Sequence, residues 1–187
     1  MTQLVRWTTT MSLDGFIAGP DDDMDWVFTV DVRPPEAQEV METLGAAVTG
    51  RRGWDVGRER GWELFGGDWQ GPLFVVSHRR RDVGDDRPAT FCPDIESAVE
   101  QALSAAAGKH VLILGAQTAR SAFEAGLIDE VLVHLLPVLL GGGVRLFDRP
   151  QGGPPIELET LQIGSTGPVA TLRYRFKQRE VSEPCSI

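Results

Sequence analysis

Residues 110–118 read HVLILGAQT, and this stretch decides the class of fold. Residues 110–115 form a nearly continuous apolar run, which is typical of a strand buried on both faces of a parallel sheet. A glycine turn follows at Gly115, and residues 117–125 have the pattern of a helix that ends at Gly126. A buried strand, a glycine turn and a helix in this order predict an α/β fold.

The alternation of strands and helices extends in both directions from this stretch. The other predicted helices open at Pro34-Pro35 and end at Gly45, follow Gly50, and run from the cap Asp94 to about residue 107. The other predicted strands are residues 4–11, 46–49, 72–77, 130–136, 156–163 and 169–176. Because the last two strands have no helix between them, we expect a mostly parallel sheet with an antiparallel C-terminal edge. We expect one domain over residues 1–177 and a frayed tail over 178–187.

Composition excludes several classes of function. The 187 residues carry 27 acidic and 18 basic side chains, so the chain lacks the basic surface that nucleic acid requires. The longest apolar stretch, residues 131–140, is interrupted by His134 and Pro137 and is too short for a membrane helix. The N-terminus has no signal peptide pattern, and the two cysteines do not form a disulfide framework. We therefore expect a cytoplasmic protein without nucleic-acid or membrane partners.

Metal chemistry is not indicated either. The three histidines, His78, His110 and His134, are too scattered to predict a metal triad, and no multi-cysteine zinc site is present. We interpret His134, inside a predicted strand, as a hydrogen-bonded core residue.

The turn at residues 115–118 (Gly115, Ala116, Gln117 and Thr118) is the first candidate binding element. A helix N-terminus presents unpaired N–H groups and partial positive charge, so this turn could hold a phosphate. The alternative is a tight turn that needs glycine only for its geometry, and the motif alone favours that alternative.

Arginines are concentrated at two predicted strand ends. Arg51-Arg52 follows the strand that ends near Gly50, and Ser77-His78-Arg79 follows the next strand. Guanidinium groups bind phosphate through paired donors, so together the two clusters could hold the phosphates of a nucleotide. The alternative for each cluster is a solvated surface.

Two loops carry further candidates. In the acidic loop of residues 14–25, Asp25 precedes Trp26, and an apolar neighbourhood would raise the pKa of its carboxyl and suit proton donation. A helix cap is the alternative role. Gly141-Gly142-Gly143 would let the main chain pass against a ligand or another strand, or would form an ordinary turn.

Several of these motifs together resemble a known family. TTMSLDGFIA at residues 9–18 is similar to the first strand and loop of the dihydrofolate reductase-like fold, and TGRR at residues 49–52 resembles the family's Gly-Arg turn. LILGA at residues 112–116 resembles its Gly-Gly strand end, with Ala116 in place of the second glycine. GLIDE at residues 126–130 and HLLPVLLGGG at residues 134–143, followed by Leu146-Phe147, resemble its most recognisable stretch. Over about residues 4–176 the chain resembles the C-terminal reductase domain of riboflavin biosynthesis, the RibD C-terminal family, in its stand-alone form.

The resemblance implies a three-layer α/β/α fold and an NADPH-dependent reductase of a pyrimidine or a pterin. The riboflavin branch reduces 5-amino-6-(5-phosphoribosylamino)uracil, and the folate branch reduces a dihydropterin. The alternatives are a non-catalytic nucleotide-binding protein on the same fold and a flavin-binding reductase.

The resemblance also implies the residues of the site. The expected cofactor-binding residues are Thr10, Ile17, Ala18, Gly50, Arg51, Arg52, Ser77, His78, Arg79, Gly115, Ala116, Gln117 and Thr118. The substrate would contact Asp14, Asp25 and Trp26, with Asp25 as the candidate proton donor and Asp14 as a second catalytic candidate. We also expect a homodimer, with the apolar residues 131–140 as a surface that a partner would cover.

Overall fold

A computed structural model describes residues 2–79, 81–82, 85–149 and 152–177. Ten strands are present in this part of the chain: β1 (Val5–Ser12), β2 (Phe16–Ala18), β3 (Leu44–Gly50), β4 (Leu73–Val76), β5 (Thr90–Cys92), β6 (His110–Leu114), β7 (Glu130–Leu136), β8 (Val144–Arg145), β9 (Leu158–Thr166) and β10 (Val169–Phe176). The α-helices are α1 (Pro35–Thr43), α2 (Arg51–Arg60), α3 (Ile95–Ala105) and α4 (Ala116–Glu124). Short 3₁₀ helices lie at Pro20–Asp22, Asp25–Thr29 and Leu64–Gly67.

The main sheet has eight strands in the order β5-β4-β3-β6-β1-β7-β10-β9. The six strands β5, β4, β3, β6, β1 and β7 are mutually parallel. Strand β10 pairs antiparallel with β7, and β9 pairs antiparallel with β10. This arrangement confirms the predicted mostly parallel sheet with an antiparallel C-terminal edge. Strands β2 and β8 form a separate two-stranded ribbon.

Helices on one face of the sheet bury the largest apolar cluster. Helix α3 contributes Ala98, Val99 and Ala102, which pack with Val48 of β3 and Ile113 of β6. The helix begins where the sequence predicts, because the Asp94 carboxylate accepts a hydrogen bond of 2.8 Å from the Ser97 N–H. Helix α1 lies on the opposite face, where Glu39 contacts Arg6 of β1.

Glycine 45 corrects one predicted boundary. Helix α1 ends at Thr43, and Gly45 belongs to strand β3 rather than to a helix terminus. A Cβ built on Gly45 would lie 2.7 Å from the Cβ of Ala106, so glycine is required where the strand approaches the end of α3. The absence of a side chain therefore reflects close packing between two elements.

The structure also corrects the expected partner surface at residues 131–140. Strand β7 lies inside the sheet, between β1 and β10, and Val131, Leu132, Val133 and Leu136 are buried. Only the end of the stretch is accessible, with Leu139 70% exposed. Its apolar character serves the core because a parallel strand inside a sheet is covered on both faces.

The sequence analysis did not predict three short strands, β2, β5 and β8.

No helix of the described residues is long and apolar enough to cross a membrane. Cys92 is buried with an unpaired thiol, and burial raises the pKa of that thiol. Cys185 and the predicted tail at 178–187 lie outside the described residues.

Candidate functional site

The carboxyl ends of β3, β4, β6, β1 and β7 share one edge of the sheet, which we call the carboxyl edge. Gly50 at the end of β3 is the register partner of Val76 on β4, and Thr49 is the partner of Leu114 on β6. The turns that follow these strands are therefore neighbours, although they are separated by tens of residues in sequence. Ligands of open α/β sheets bind at such an edge.

Two of the predicted turns touch each other at this edge. A Cβ built on Gly50 would lie 2.7 Å from the Oγ1 of Thr118, whose side chain is buried in the first turn of α4. Gly115 immediately precedes α4 with φ 85° and ψ 142°, a conformation that side chains disfavour. Glycine is thus needed at both positions, once for space and once for backbone conformation.

Two helices begin at these turns, and neither has a side-chain cap. Gly50 is the N-cap of α2 and Gly115 is the N-cap of α4, and neither N-cap residue supplies a side-chain hydrogen bond to its helix. Two sets of N–H donors and two positive dipole ends therefore lie side by side. Such an arrangement can bind anionic groups, and the pyrophosphate of a dinucleotide is one ligand of this kind.

The arginines near this edge are paired with carboxylates. Arg51 contacts Asp55 at 2.9 Å and Asp82 at 2.5 Å, and its side chain is only 12% exposed. The guanidinium groups of Arg51 and Arg58 hold the pKa of Asp82 below its usual range. Arg51 is therefore held in an ion-pair network next to the first turn of α2.

Two other arginines are more accessible. Arg52 pairs with Asp22 at 2.9 Å, Arg79 lies 3.6 Å from Asp55, and both arginine side chains are 72% exposed. Exposed pairs of this kind contribute little to stability, so an incoming phosphate can compete for these guanidinium groups.

The turn after β4 is shaped by Ser77. Its hydroxyl donates a hydrogen bond of 2.8 Å to the Arg79 carbonyl and accepts one of 3.1 Å from the Arg79 N–H. These bonds fold residues 77–79 into a compact turn, from which His78 and Arg79 extend into solvent.

A second element of the site is a cleft on the α1 face of the sheet, which we call the valine cleft. It has a volume of about 150 Å³. Its lining is mostly aliphatic and comprises Thr10, Val27, Val30, Val32, Arg33, Pro34, Ala37, His134, Leu136 and Val169. Thr10 and His134 are register partners on β1 and β7, so two polar side chains stand next to each other in this apolar wall.

The valine cleft lies next to the carboxyl edge. Trp7 of β1 is the partner of Ile113 of β6. Extending this parallel register by two residues brings Gly115 level with Thr9, one residue before Thr10. The turn before α4 is therefore level with the part of β1 that carries Thr10, one strand away in the sheet.

His134 has two different environments at its two ring nitrogens. Its Nδ1 lies 3.2 Å from the Oγ1 of Thr171, a residue that is 1% exposed. Its Nε2 is buried and has no hydrogen-bond partner among the described residues. Burial lowers the pKa of the imidazole, so the ring is neutral at physiological pH. The predicted core hydrogen bond is present, but the position of His134 in the cleft wall was not predicted.

Asp14 serves as a clamp between two loops. Its carboxylate accepts hydrogen bonds from the Ser12 hydroxyl at 2.7 Å, from the Gly141 N–H at 2.7 Å and from the Leu140 N–H. The Ser12 and Gly141 bonds lower the pKa of Asp14 to about 2. An ionised carboxylate has no proton to give, so this geometry does not suit proton donation by Asp14.

Asp25 differs from its expected environment. The 3₁₀ helix Asp25–Thr29 turns Trp26 into the core and leaves Asp25 exposed, without a side-chain partner in the described parts of the chain. The apolar surroundings that would suit a proton donor are missing, because adjacent residues of the helix point in different directions. Trp26 packs on Leu136 and Val169, which both line the valine cleft.

The remaining predicted positions lie in the β2–β8 ribbon. Ile17 and Ala18 are 7% and 8% exposed, so they offer little side-chain surface to a ligand in this conformation. A Cβ on Gly143 would collide with the carbonyl oxygen of Ala18, and Gly143 has a φ of 122°. Gly143 therefore lets the main chain pass closely over another strand, which was one of the two possibilities for the triplet, whereas a Cβ on Gly141 or Gly142 would meet nothing within 4 Å.

The structure thus brings the predicted residues into two neighbouring groups. The turns at Gly50, Ser77 and Gly115 share the carboxyl edge, and Thr10 and the packing partners of Trp26 surround the valine cleft. Sequence reasoning missed Arg33, Thr171 and the unpartnered Nε2 of His134. The described residues contain no group of three or more side chains that could hold a metal ion.

The strand order and the antiparallel pair at the C-terminal side define a dihydrofolate reductase-like α/β fold. The chain belongs to the RibD C-terminal domain family, whose sequence model matches residues 3–172. Membership indicates, at the level of the family, a reductase of riboflavin biosynthesis. A comparison with curated proteins gives no match.

Several solved structures share this fold. A protein of Shewanella sp. PV-4 whose name refers to riboflavin biosynthesis superimposes with a TM-score of 0.78 at 22% identity, covering 94% of this chain and 99% of the other. A deaminase/5-amino-6-(5-phosphoribosylamino)uracil reductase from Thermotoga maritima gives 0.69 at 12% identity, covering 94% of this chain and 57% of the other. A pyrimidine reductase-like protein from Corynebacterium diphtheriae gives 0.63 at 12% identity, covering 94% and 92%.

Proposed function

We propose that the protein is an NADPH-dependent reductase of a phosphorylated pyrimidine, of the type of 5-amino-6-(5-phosphoribosylamino)uracil. The observation that carries the proposal is the convergence of two uncapped helix N-termini at Gly50 and Gly115, next to the valine cleft. One part of this site suits the phosphates of a dinucleotide and the other suits a small planar ring.

The residues at the carboxyl edge fit the cofactor. The N–H groups in the first turns of α2 and α4 would accept the pyrophosphate. Arg52 and Arg79, the exposed guanidinium groups, would bind the phosphate on the adenosine ribose, with Ser77 and His78 beside them. NADPH supplies the hydride when it is bound.

The protein's own contribution is binding and orientation. Apolar side chains of the valine cleft exclude water from the faces of a bound ring, while Thr10 and His134 offer it polar contacts. Holding the reacting carbon beside β1 would bring it close to the end of α4, which is the kind of positioning that accelerates a bimolecular step. In this proposal the proton comes from water at the open edge, because Asp14 is ionised and Asp25 is exposed.

Arg33 favours the phosphorylated pyrimidine over a dihydropterin as substrate. Arg33 lines the valine cleft, is exposed, and has no ion-pair partner among the described residues. A guanidinium group at this position would bind the phosphate of a phosphoribosyl chain that extends out of the cleft.

A second candidate function is nucleotide binding without catalysis. The observation that favours it is that neither aspartate predicted for proton transfer is placed for that role: one is a loop clamp and the other faces solvent. On this candidate the dinucleotide site would be retained and the valine cleft would hold a ligand that is not reduced.

The test combines binding and turnover. We expect NADPH to raise the melting temperature more than NADH does, because a ligand that binds the native state stabilises it. We also expect oxidation of NADPH that depends on the phosphoribosyl-pyrimidine and is much slower with dihydrofolate. Equal protection by NADPH and NADH would contradict the cofactor assignment, and binding without oxidation of any substrate would favour the second candidate.

The state of assembly and the location are further parts of the proposal. Ile163 is 65% exposed on β9, which is the last strand of the sheet among the described residues, and an apolar side chain at such an edge favours association with a second copy. We propose a cytoplasmic homodimer. Light scattering tests the homodimer and cell fractionation tests the location.

A further inference from the structure

His134 lines the valine cleft and carries a buried ring nitrogen that has no hydrogen-bond partner among the described residues. The residue is 6% exposed and lines the valine cleft, and its Nε2 has no hydrogen-bond partner among the described residues. Buried polar atoms are normally hydrogen-bonded, because leaving one unpaired costs free energy. An unpartnered atom in the wall of a cleft therefore points to a ligand that completes its hydrogen bonding.

The other ring nitrogen is already engaged. The Nδ1 of His134 lies 3.2 Å from Thr171 Oγ1, and Thr171 is 1% exposed on β10. This hydrogen bond fixes the plane of the imidazole and couples its tautomer to the direction of the threonine hydroxyl. The imidazole of this cleft residue is thus held with one nitrogen bound to the protein and the other without a partner among the described residues.

Neighbouring charged groups have other partners. Glu36 and Arg173 both influence the imidazole electrostatically. The Glu36 Oε1 accepts a hydrogen bond of 2.7 Å from Gln162, and Arg173 is paired with Glu39. Neither residue is part of the lining of the cleft, and the Oε2 of Glu36 is buried without a hydrogen-bond partner among the described residues.

The chemistry of the wall defines the class of ligand. Thr10 and His134 are register partners on adjacent strands and form one short polar strip, while valines, a leucine and a proline form most of the rest. Such a wall suits a planar heterocycle with apolar faces and one hydrogen-bonding edge. A hydroxyl and a neutral imidazole can each donate or accept, so they match an edge that carries a ring N–H beside a carbonyl.

We propose that His134 is a substrate-binding residue whose Nε2 hydrogen-bonds the imide edge of a uracil-type ring in the valine cleft, and that Thr171 is the positioning residue that orients it. The inference rests on the proposed function for the identity of the ring. It adds that His134 is the residue that recognises this ring. It does not depend on the cofactor, because the cleft and the helix N-termini are separate parts of the site.

The protein is well suited to a direct test because it contains three histidines. With [¹⁵N]histidine labelling, the ring nitrogens of His78, His110 and His134 are observed by NMR, and the His134 signals are assigned from their absence in His134→Gln. The probe is 5,6-diaminouracil, and the control ligand is its 1,3-dimethyl derivative, whose imide edge is blocked. His110, which is buried and accepts a hydrogen bond from the Leu4 N–H, serves as the internal control.

We expect 5,6-diaminouracil to shift the Nε2 signal of His134 and to leave His110 unchanged, and the dimethyl derivative to bind at least tenfold more weakly. His134→Phe should weaken the probe by about tenfold or more, whereas His134→Gln, which keeps a polar group at the Nε2 position, should recover part of the affinity. Thr171→Val should change the tautomer signature of His134 in the ligand-free protein, which a merely structural role for Thr171 would not require.

Two results would overturn the inference. One is an unshifted His134 at a concentration of probe that saturates the protein, and the other is a wild-type protein that does not bind the probe. The two proposals are also separable. A response of His134 without any binding of NADPH would defeat the proposed reductase function alone, and reduction of the substrate with equal KM in wild type and His134→Phe would defeat this inference alone.

Discussion

The Thr118 hydroxyl, in the first turn of α4, occupies the space that a side chain on Gly50 at the end of β3 would need. The two residues belong to different strand-turn-helix units, yet a larger side chain at position 50 would collide with the turn that carries Thr118. This contact joins the two helix N-termini that we propose as the phosphate site.

Gly50→Ala tests this contact. The new Cβ would lie 2.7 Å from Thr118 Oγ1, and the stiff, buried threonine would have to move with the first turn of α4. We expect affinity for NADPH to fall by about tenfold (~1.4 kcal/mol). Calorimetric titration measures the effect, and Gly164→Ala is the matched control because a Cβ there meets nothing within 4 Å. A Gly50→Ala protein with unchanged affinity would remove this turn from the cofactor site.

Arg79→Ala tests the site of the adenosine phosphate. The Arg79 side chain is 72% exposed and only loosely paired with Asp55, so its loss should leave the fold intact. We expect NADPH to bind about tenfold more weakly (~1.4 kcal/mol) and NADH to be unaffected. Lys177→Ala removes an exposed, ion-paired cation from the opposite edge of the sheet and should change neither affinity. Equal losses for the two cofactors would place Arg79 elsewhere than at the extra phosphate.

Asp14→Asn tests the clamp through its pH dependence. The hydrogen bonds from Ser12 and Gly141 lower the pKa of the folded-state carboxyl from 3.8 to about 2. Its contribution to stability is therefore complete above the unfolded-state value and is lost as the pH falls through about 2. We expect urea unfolding to show wild type more stable than Asp14→Asn at pH 5, with the difference shrinking towards pH 2. The control is Asp25→Asn, at an exposed carboxyl without a side-chain partner in the described residues, which should leave the free energy of unfolding at pH 5 close to that of wild type.

The ion pairs under α1 predict a large effect on stability. Glu130 is buried and lies 3.2 Å from Arg6 and 3.5 Å from Arg175, and Arg6 is only 13% exposed. Breaking a fully buried pair typically costs about 3–5 kcal/mol, and Arg6 would still keep Glu39 as a partner. We therefore expect Glu130→Ala to lower the free energy of unfolding by about 2–3 kcal/mol in chemical denaturation.

The matched control for Glu130 is Glu159, which pairs with the same arginine at the surface. The Arg175–Glu159 pair is about half exposed on both sides, so Glu159→Gln should change the free energy of unfolding by less than about 1 kcal/mol. Similar losses for the two variants would show that burial does not govern the strength of this network.

Long apolar segments made the fold predictable from the sequence. The run at 110–115 and the capping residue Asp94 each act locally, and both elements lie where the pattern places them. Strands β2, β5 and β8 were missed because two or three residues are too few to show a periodicity. Gly45 was misinterpreted because its reason is a neighbour that is distant in sequence, Ala106.

The candidate site was predictable only in part. Glycines at strand ends are visible in a sequence, and the turns at Gly50 and Gly115 do meet. The valine cleft depends on strand register instead: Thr10 and His134 face each other because β1 pairs with β7, and no local pattern records that pairing. The exposure of a side chain cannot be predicted from its sequence neighbours either. Asp25 and Trp26 are adjacent in one turn of helix, yet Asp25 is exposed and Trp26 is buried.

The Asp14 clamp ties residue 14 to residues 140 and 141, across more than a hundred positions of the chain. The same two segments are also joined by the hydrogen bond of 2.8 Å from the Leu13 N–H to the Val138 carbonyl and by the pairing of β2 with β8, so a displacement of either loop is transmitted to the other. Opening of this side of the molecule therefore requires the carboxylate contacts, the main-chain hydrogen bond and the ribbon to separate together.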